Sequence, residues 1–582
     1  MAQTGSITSI RSTVAEVVFL DEQPQIFDIL KTSKETDALL EVIASAGKNR
    51  YHCFILRGDK HLSRGTNVTN THQQLAIPVG ESVLGRALDI FGNPHDGKQL
   101  TATTWKPVHH SEKTAIENAH IPTEILHTGV RVIDFFTPLL KGSKTGLVGG
   151  AGLGKTILLT ELIHNVVTSN KRNNSNTISV FGAVGERSRE AHELLETLGE
   201  SGVLERTTMV LGQMGENPAV RFRTASAATT IAEHFRDTGT DVLFFIDNMY
   251  RFSQAGYELA TLMKAIPSEE GYQPTLPSEI GTLHERLVSN QHAHITSIEA
   301  VYLPSDDLFD YSVRSTFDYL DSYIVLSREV YQSGRMPAVD LFESNSSALT
   351  PEIVGETHFQ LYLEAKRVLE SAKEIERIVS LVGLAELSAE DQKKYKRSLL
   401  LQNYMTQSLF VAEPQTGKPG VFADLKTTLE DVDRILSGAY DEVDPDLFLY
   451  ITQIDEAWSQ TTHTTQPTRP NLTPPVTPDL PLTKNSQSTN ELAENSPQID
   501  TNQSAGVMVL SDSEAQVLQE EKAAAKKQLF SADTSIKDKY TATLLSEADL
   551  AQRVQVKEHL ENASSNYTPT QMTEAPTTND ET

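Results

Sequence analysis

Gly149-Gly-Ala-Gly-Leu-Gly-Lys-Thr156 decides how this chain is read, because of what flanks it. The apolar run Thr145-Gly-Leu-Val148 precedes it and Ile157-Leu-Leu159 follows, so strand, glycine turn and helix start succeed one another. Around Ala151 and Leu153, glycines at 150, 152 and 154 let consecutive backbone N–H groups face one anion, since no Cβ blocks the turn. Lys155 adds positive charge at the outer phosphates, and the Thr156 hydroxyl can bind Mg²⁺. The pattern predicts a phosphate-binding P-loop and a nucleoside triphosphate as ligand.

Such a loop needs a second acid at the end of a buried strand. Asp241-Val-Leu-Phe-Phe-Ile-Asp247 offers five apolar residues and then a carboxylate. Read alone it is usually just a core strand ending in an exposed acid; the upstream P-loop turns the reading toward a metal-holding Asp247. The turn after the strand Thr177–Phe181 carries Gly185-Glu-Arg187 and opens a helix. Glu186 there is the candidate to orient and polarise an attacking water. Without the P-loop it would read as a helix-start acid favoured by the dipole. Arg187 and Arg251 offer guanidinium groups suited to phosphate oxygens.

Composition limits the alternatives. The 582 residues suffice for about three to five domains. A net charge of −28 argues against a general nucleic-acid grip, which needs a basic surface. Cys53 is the single cysteine, which excludes an internal disulfide and fits a reducing, cytoplasmic compartment. No run approaches the roughly 20 apolar residues of a membrane span. Met1–Ile10 has neither the charged-then-apolar build of a secretory signal nor an Arg-rich transit character. Membrane association is therefore expected only through partners.

Four regions are expected. Residues 1–82 alternate short strands (Thr13–Phe19, Ala38–Ile43, His52–Leu56) with turns, predicting a small antiparallel β-barrel. Residues 83–350 alternate strands with helices, predicting a parallel α/β nucleotide-binding core of the RecA-like P-loop kind. Residues 351–460 turn helical: Leu361, Leu363, Ala365, Val368, Leu369, Ala372, Ile375, Ile378 and Val379 recur at helical spacing. Ser388-Ala-Glu-Asp391 forms a capping box for the next helix. Residues 461–582 are rich in Thr, Pro, Asn and Gln and predict a mostly disordered tail, with short helices at 512–530 and 544–560.

Taken in order, seven segments resemble one family. They are Gly149–Thr156, Gly185–Arg187, Gly212-Gln-Met214, Phe245-Ile-Asp-Asn248, Arg251-Phe-Ser-Gln-Ala-Gly256, Gly271-Tyr-Gln-Pro-Thr-Leu276 and Ile295–Asp307. Over residues 5–460 the chain resembles the catalytic beta subunit of F-type ATP synthases, the rotary ATPases. The resemblance implies ATP hydrolysis or synthesis of the proton-transporting two-sector kind, with Mg²⁺ bound to the nucleotide. It implies three such chains alternating with alpha-type chains around a gamma-type central stalk, peripheral to the cytoplasmic face of the membrane. Glu186 would then align the water, Thr156, Glu190 and Asp247 would serve the metal, and Lys155, Arg187 and Arg251 would hold phosphate. Tyr302 would lie beside the site. An arginine finger, worth about 10³–10⁵ in rate, would come from the alpha-type neighbour, leaving the isolated chain a poor ATPase.

The chain also departs from that family. Where adenine is held by aromatic rings, Met336, Leu409 and Gln415 stand, with Phe410 one residue away. The rotor-facing loop keeps Asp306, Asp307 and Asp310 but continues Tyr311-Ser-Val-Arg314, and the acidic lever is diluted to Ala385-Glu-Leu-Ser-Ala-Glu-Asp391. With the long tail, these changes resemble specialised F-like paralogues of the mycoplasma type, the tail reaching a membrane sector or another partner. An ordinary proton-translocating beta subunit is the alternative. A hexameric nucleic-acid translocase is disfavoured by the acidic charge and by an N-terminal region without a basic, aromatic-studded strand set. A secretion-system export ATPase fits less well with Gly271–Leu276 and the developed helical region, and a catalytically dead scaffold has no use for Lys155, Glu186 and Asp247 together. Stacking on a base is worth about 1–3 kcal/mol, so weaker adenine binding and looser purine choice are expected. Parallel ATP and GTP turnover assays read this out; strong ATP preference at micromolar affinity would contradict it.

Overall fold

The computed structural model describes residues 4–454 except 21–22, 33–36, 59, 61, 102–103, 110–120, 173–176 and 269. The expected tail, its two short helices and residues 455–460 lie outside the described residues.

The N-terminal strands are short and alternate in burial, so they must close to hide one face. β1 (Thr4–Arg11), β2 (Val14–Phe19), β3 (Asp28–Lys31), β4 (Leu39–Gly47), β5 (Arg50–Arg57) and β6 (Asn67–Gln74) form a closed antiparallel barrel, ordered β1-β2-β5-β4-β3-β6. Ile7, Val17, Phe19, Leu30, Leu40, Val42, Cys53 and Ile55 fill it. Closure leaves no edge strand to pair with another chain. Beyond it β7 (Ala76–Val79) pairs with β9 (Thr104–Pro107), and β10 (Ile125–Leu126) with β11 (Leu139–Leu140).

The central sheet contains β8 (Ala87–Leu88), β12 (Lys144–Gly149), β13 (Thr177–Glu186), β14 (Thr207–Gln213), β15 (Asp241–Asp247), β16 (Ile295–Tyr302), β17 (Ser322–Val325) and β18 (Asn345–Ser346). Their order is β18-β17-β12-β16-β15-β13-β14-β8, parallel throughout except for the edge strand β18. Strands such as Val242-Leu-Phe-Phe-Ile246 are buried on both faces, which is why they read as unbroken apolar runs rather than alternations. Helices α1 (Arg131–Phe136), α2 (Lys155–Arg172), α3 (Ser188–Glu200), α4 (Pro218–Asp237), α5 (Met249–Leu262), α6 (Leu276–His284), α7 (Tyr311–Phe317) and α8 (Arg328–Gln332) accompany it. One expectation needs correcting: β13 does not stop at Phe181 but runs on to Glu186. Parallel ladders to β14 and β15 flank that extension and hold its small residues Gly182 and Ala183 in extended form.

The C-terminal region is helical: α9 (Pro351–Val354), α10 (Glu356–Val382), α11 (Ala389–Tyr404), α12 (Glu413–Thr416) and α13 (Leu425–Leu436). The Ser388 side chain accepts from the Asp391 N–H at the start of α11, as the capping box requires. On α10 the buried stripe is Leu361, Ala365, Leu369, Ala372 and Ile375. Ile378, assigned to that stripe by spacing, is 48% exposed, and Leu381 beyond it is 84% exposed. The apolar periodicity therefore outlasts the packing, and an apolar helix tip faces outward.

Two buried charged groups tie these regions together. Arg131, almost fully buried on α1, donates to the carbonyls of Tyr404, Ile451 and Thr452 and stacks over the Tyr404 ring. On the barrel side Glu41 of β4 is fully buried, 2.7 Å from Arg223 Nε of α4 and 2.7 Å from His109 Nε2. Burial pushes the Glu41 carboxyl up, but Arg223 and His109 outweigh it and hold the pKa below the ordinary value. Removing one member of such a group leaves an uncompensated buried charge, typically a loss of about 3–5 kcal/mol. Arg223→Ala should accordingly lower the urea midpoint of barrel unfolding sharply, whereas a midpoint near wild type would show that the cluster does not join the two regions.

Candidate active site

The ends of β12, β16, β15 and β13 deliver the candidate residues to one edge of the sheet. In register, Gly149 pairs with Tyr302, Asp247 with Ala300, and Ala183 with Asp247. These are the C-terminal ends of parallel strands, where open α/β sheets bind ligands. After Gly149 the chain turns through Gly152 (φ 76°) and Gly154 (φ 86°), a left-handed backbone that a side chain would strain. Lys155 and Thr156 then begin α2, and Thr156 is exposed on its first turn. The Lys155 ammonium donates to the carbonyls of Gly149 (2.7 Å) and Gly150 (2.6 Å), and it lies 5.5 Å from the centre of the Tyr302 ring. Burial lowers its pKa, while Asp247, Glu186 and Asp306 act in the opposite direction.

Asp247, at the end of β15, is buried. Its pKa is pushed up to about 6 by burial, against the attraction of Lys155. Glu186, at the end of β13, is pushed up to about 9, first by burial and then by the Asp247 charge, with Glu190 adding to both hydrogen-bonding and repulsive causes; Arg251 pulls the other way. Asn248 Nδ2 donates to Glu186 Oε1 at 3.0 Å, and Asn248 Oδ1 also accepts from the Arg251 N–H to cap α5. Arg251 Nη1 bonds Gln254 at 2.8 Å. Arg187 is largely exposed and pairs with Glu190 at 3.1 Å. Lys155, Asp247, Glu186, Glu190 and Arg251 therefore share one electrostatic neighbourhood.

The expected base-side residues are less uniform. A Cβ placed on Gly154 would lie 3.7 Å from Met336 Cε, so Met336 stands over the P-loop. Leu409 is buried, and Gln415 is exposed on the one-turn α12. The Phe410 ring sits 5.1 Å from that of His164 on α2.

Two neighbours of the site had no part in it as read from sequence: Asn248, and Asp306, which was expected to face a rotor. Asn248 was visible as an Asn ahead of a helix, a capping signal, but its hold on Glu186 is a tertiary contact. A Cβ on Gly150 would collide with Asp306 Oδ1, and Asp306 is paired with Arg328 at 3.1 Å. Nothing local in the sequence joins Asp306 to Arg328. Of the other acids expected to face a rotor, Asp310 caps α7 and accepts from the Tyr272 hydroxyl (2.9 Å), and Asp307 accepts from the Phe309 N–H.

Among the described residues no group of three or more His, Cys, Asp or Glu side chains forms a ready metal cage. Mg²⁺ does not require one, since it keeps several waters and takes one or two carboxylates plus substrate phosphates. The Thr156 hydroxyl and the Asp247 carboxylate, with Glu190 further out, are hard oxygen donors of that kind. The raised pKa values of Asp247 and Glu186 mark a place where added positive charge is favourable.

Residues 129–346 match the model of the ATP synthase alpha/beta family, nucleotide-binding domain. Residues 347–439 match that of the C-terminal domain of V and A type ATP synthase. The two matches abut and together cover more than half of the chain.

The shift of Glu186 sets a sign for stability. Between about pH 4.3, the ordinary glutamate value, and about 9, the folded chain keeps a proton that the unfolded chain releases. Stability therefore falls as pH rises through that window. Glu186→Gln, neutral throughout, should melt higher than the nucleotide-free wild type at pH 8, by about 2–4 °C per kcal/mol, and not at pH 4. Equal melting temperatures at pH 8 would mean that Glu186 is not held in its neutral form.

Proposed function

We propose that this chain, whose nucleotide-binding domain belongs to the ATP synthase alpha/beta family, works as the catalytic subunit of a rotary ATPase, splitting or forming ATP in the cleft of Lys155, Asp247 and Glu186. The observation that carries this reading is the convergence of one cation and two repelling carboxyls at the C-terminal edge of the sheet, beside the glycine turn. In this reading the backbone N–H groups from Gly150 to Thr156 cradle the phosphates. Lys155 exchanges its two carbonyl acceptors for phosphate oxygens. Mg²⁺, when bound, would neutralise charge on the outer phosphates. Glu186, oriented by the Asn248 amide, accepts a proton from the water that attacks the terminal phosphorus, and the bond to the bridging oxygen of ADP breaks. Because burial first, and then its acidic neighbours, hold Glu186 protonated, positive charge near it is what readies it as a base. Arg251, which pulls the Glu186 pKa down, is one protein source of that charge, and Arg187 can swing from Glu190 to phosphate.

The finer assignment we favour is an F-like paralogue, assembled as an alternating hexamer with an alpha-type chain that supplies an arginine finger and with a gamma-type stalk. Its support is the ordered set of F-type segments from Gly149 to Asp307, together with altered residues Tyr311–Arg314 and Ala385–Asp391. A second reading, a V- or A-type catalytic subunit, is favoured by the match over residues 347–439. No helix among the described residues is long and apolar enough to cross a membrane, and we place the chain peripherally at the cytoplasmic face through its partners. Co-purified subunits, identified by mass spectrometry with and without residues 461–582, distinguish these assemblies.

Two substitutions test the chemistry in the assembled complex. Lys155→Ala should weaken nucleotide binding about 10–100-fold, the worth of a charge-assisted hydrogen bond. Glu186→Gln should leave binding within about threefold and cut turnover by about 10²–10⁴; turnover near wild type would remove Glu186 from the mechanism.

A further inference from the structure

Glu161 lies on α2, six residues after Lys155, and its side chain is fully buried. Its Oε2 accepts from the Val411 N–H at 3.1 Å, the Phe410 N–H also bonds it, and Oε1 accepts from Asn165 Nδ2 at 3.3 Å. Burial raises its pKa, and these donors pull it back toward the ionised form. A buried carboxylate is thus spent on the backbone of a short loop.

That loop is strung between two anchors. At its other end the Gln407 N–H donates to the Met336 carbonyl at 2.9 Å, and Gln407 Nε2 donates to the carbonyls of Gly129 and Val421. Between the anchors sits Leu409. The Phe410 backbone is wedged against Gly420, where a Cβ would collide with Phe410 Cα. The segment 407–411 therefore spans from the residue above the P-loop to the helix that the P-loop begins.

We propose that Glu161 is a positioning residue for nucleobase recognition: by holding the 410–411 backbone on the P-loop helix, it sets the wall at Leu409 against Met336 and leaves the phosphate cradle untouched. The inference rests on the reading of the Lys155 cleft as an ATP site with Met336 and Leu409 on its base side. Its consequence is a division of labour along α2, whose first turn binds phosphates while Glu161, further along, fixes the loop that meets the base. Removing the buried acceptor strands two backbone donors, so the loop, not the helix, should loosen.

The test compares Mg-ATP with magnesium tripolyphosphate, which has the phosphates and no base, by calorimetric titration of the full chain. Glu161→Leu should weaken ATP binding about tenfold or more and change tripolyphosphate binding by less than about twofold, with Glu161→Gln between. Val411→Pro deletes the donor and keeps the acid, so it should show the same split and carries the test should Glu161→Leu not fold. Equal losses for both ligands would make Glu161 a support of the P-loop helix alone, and unchanged ATP affinity would deny it any role; either overturns the proposal. A wild-type chain that binds neither ligand would instead overturn the ATP-site reading.

Discussion

The ladder that joins β12 to β16, β16 to β15 and β15 to β13 is the constraint on which everything else depends. Because these strands are parallel and in register, their C-terminal ends arrive together: Gly149 beside Tyr302, Asp247 beside Ala300 and Ala183. The glycine turn, Asp247 and Glu186 come from segments separated by up to about a hundred residues, yet the hydrogen-bond spacing of one sheet puts them on one edge. Slip of one residue in any of these pairings would turn a carboxyl to the opposite face of the sheet.

Electrostatics then follow from geometry. Asp247 and Glu186 are pressed together in a poorly solvated edge, and both hold protons more tightly than free carboxyls do. Lys155, the cation that both acids act on, folds back onto the carbonyls of Gly149 and Gly150. The edge is therefore tense toward positive charge and open to anions through backbone N–H groups, the combination a metal-bound polyphosphate relieves on both counts.

The regions around this edge are fastened by polar groups rather than by apolar contact alone. Arg131 reaches the backbone of the helical region, Gln407 bridges Gly129, Arg131 and Met336, and Glu161 clasps the 410–411 loop. On the opposite side Glu41 links the barrel to α4 through Arg223. Such buried pairs add directionality more than net stability, since desolvation consumes much of their attraction. They define which loop meets which strand end.

Local chemistry was readable in the residue order. Gly152 and Gly154 announced a tight turn, Asp247 closed an unbroken apolar run, Ser388 capped a helix, and short alternating strands foretold a barrel, because each depends on neighbours within a few positions. The same locality explains the misreadings: spacing on α10 extended the buried stripe to Ile378, although burial there depends on what packs alongside, and β13 outran its apolar core because flanking ladders support it. The Asn248 hold on Glu186, the Asp306–Arg328 pair at Gly150 and the Glu161 clasp on Val411 were decided only by the tertiary structure. Each joins groups distant along the chain, and the energies that bring such groups together are long-range packing and pairing, which leave no local pattern to read.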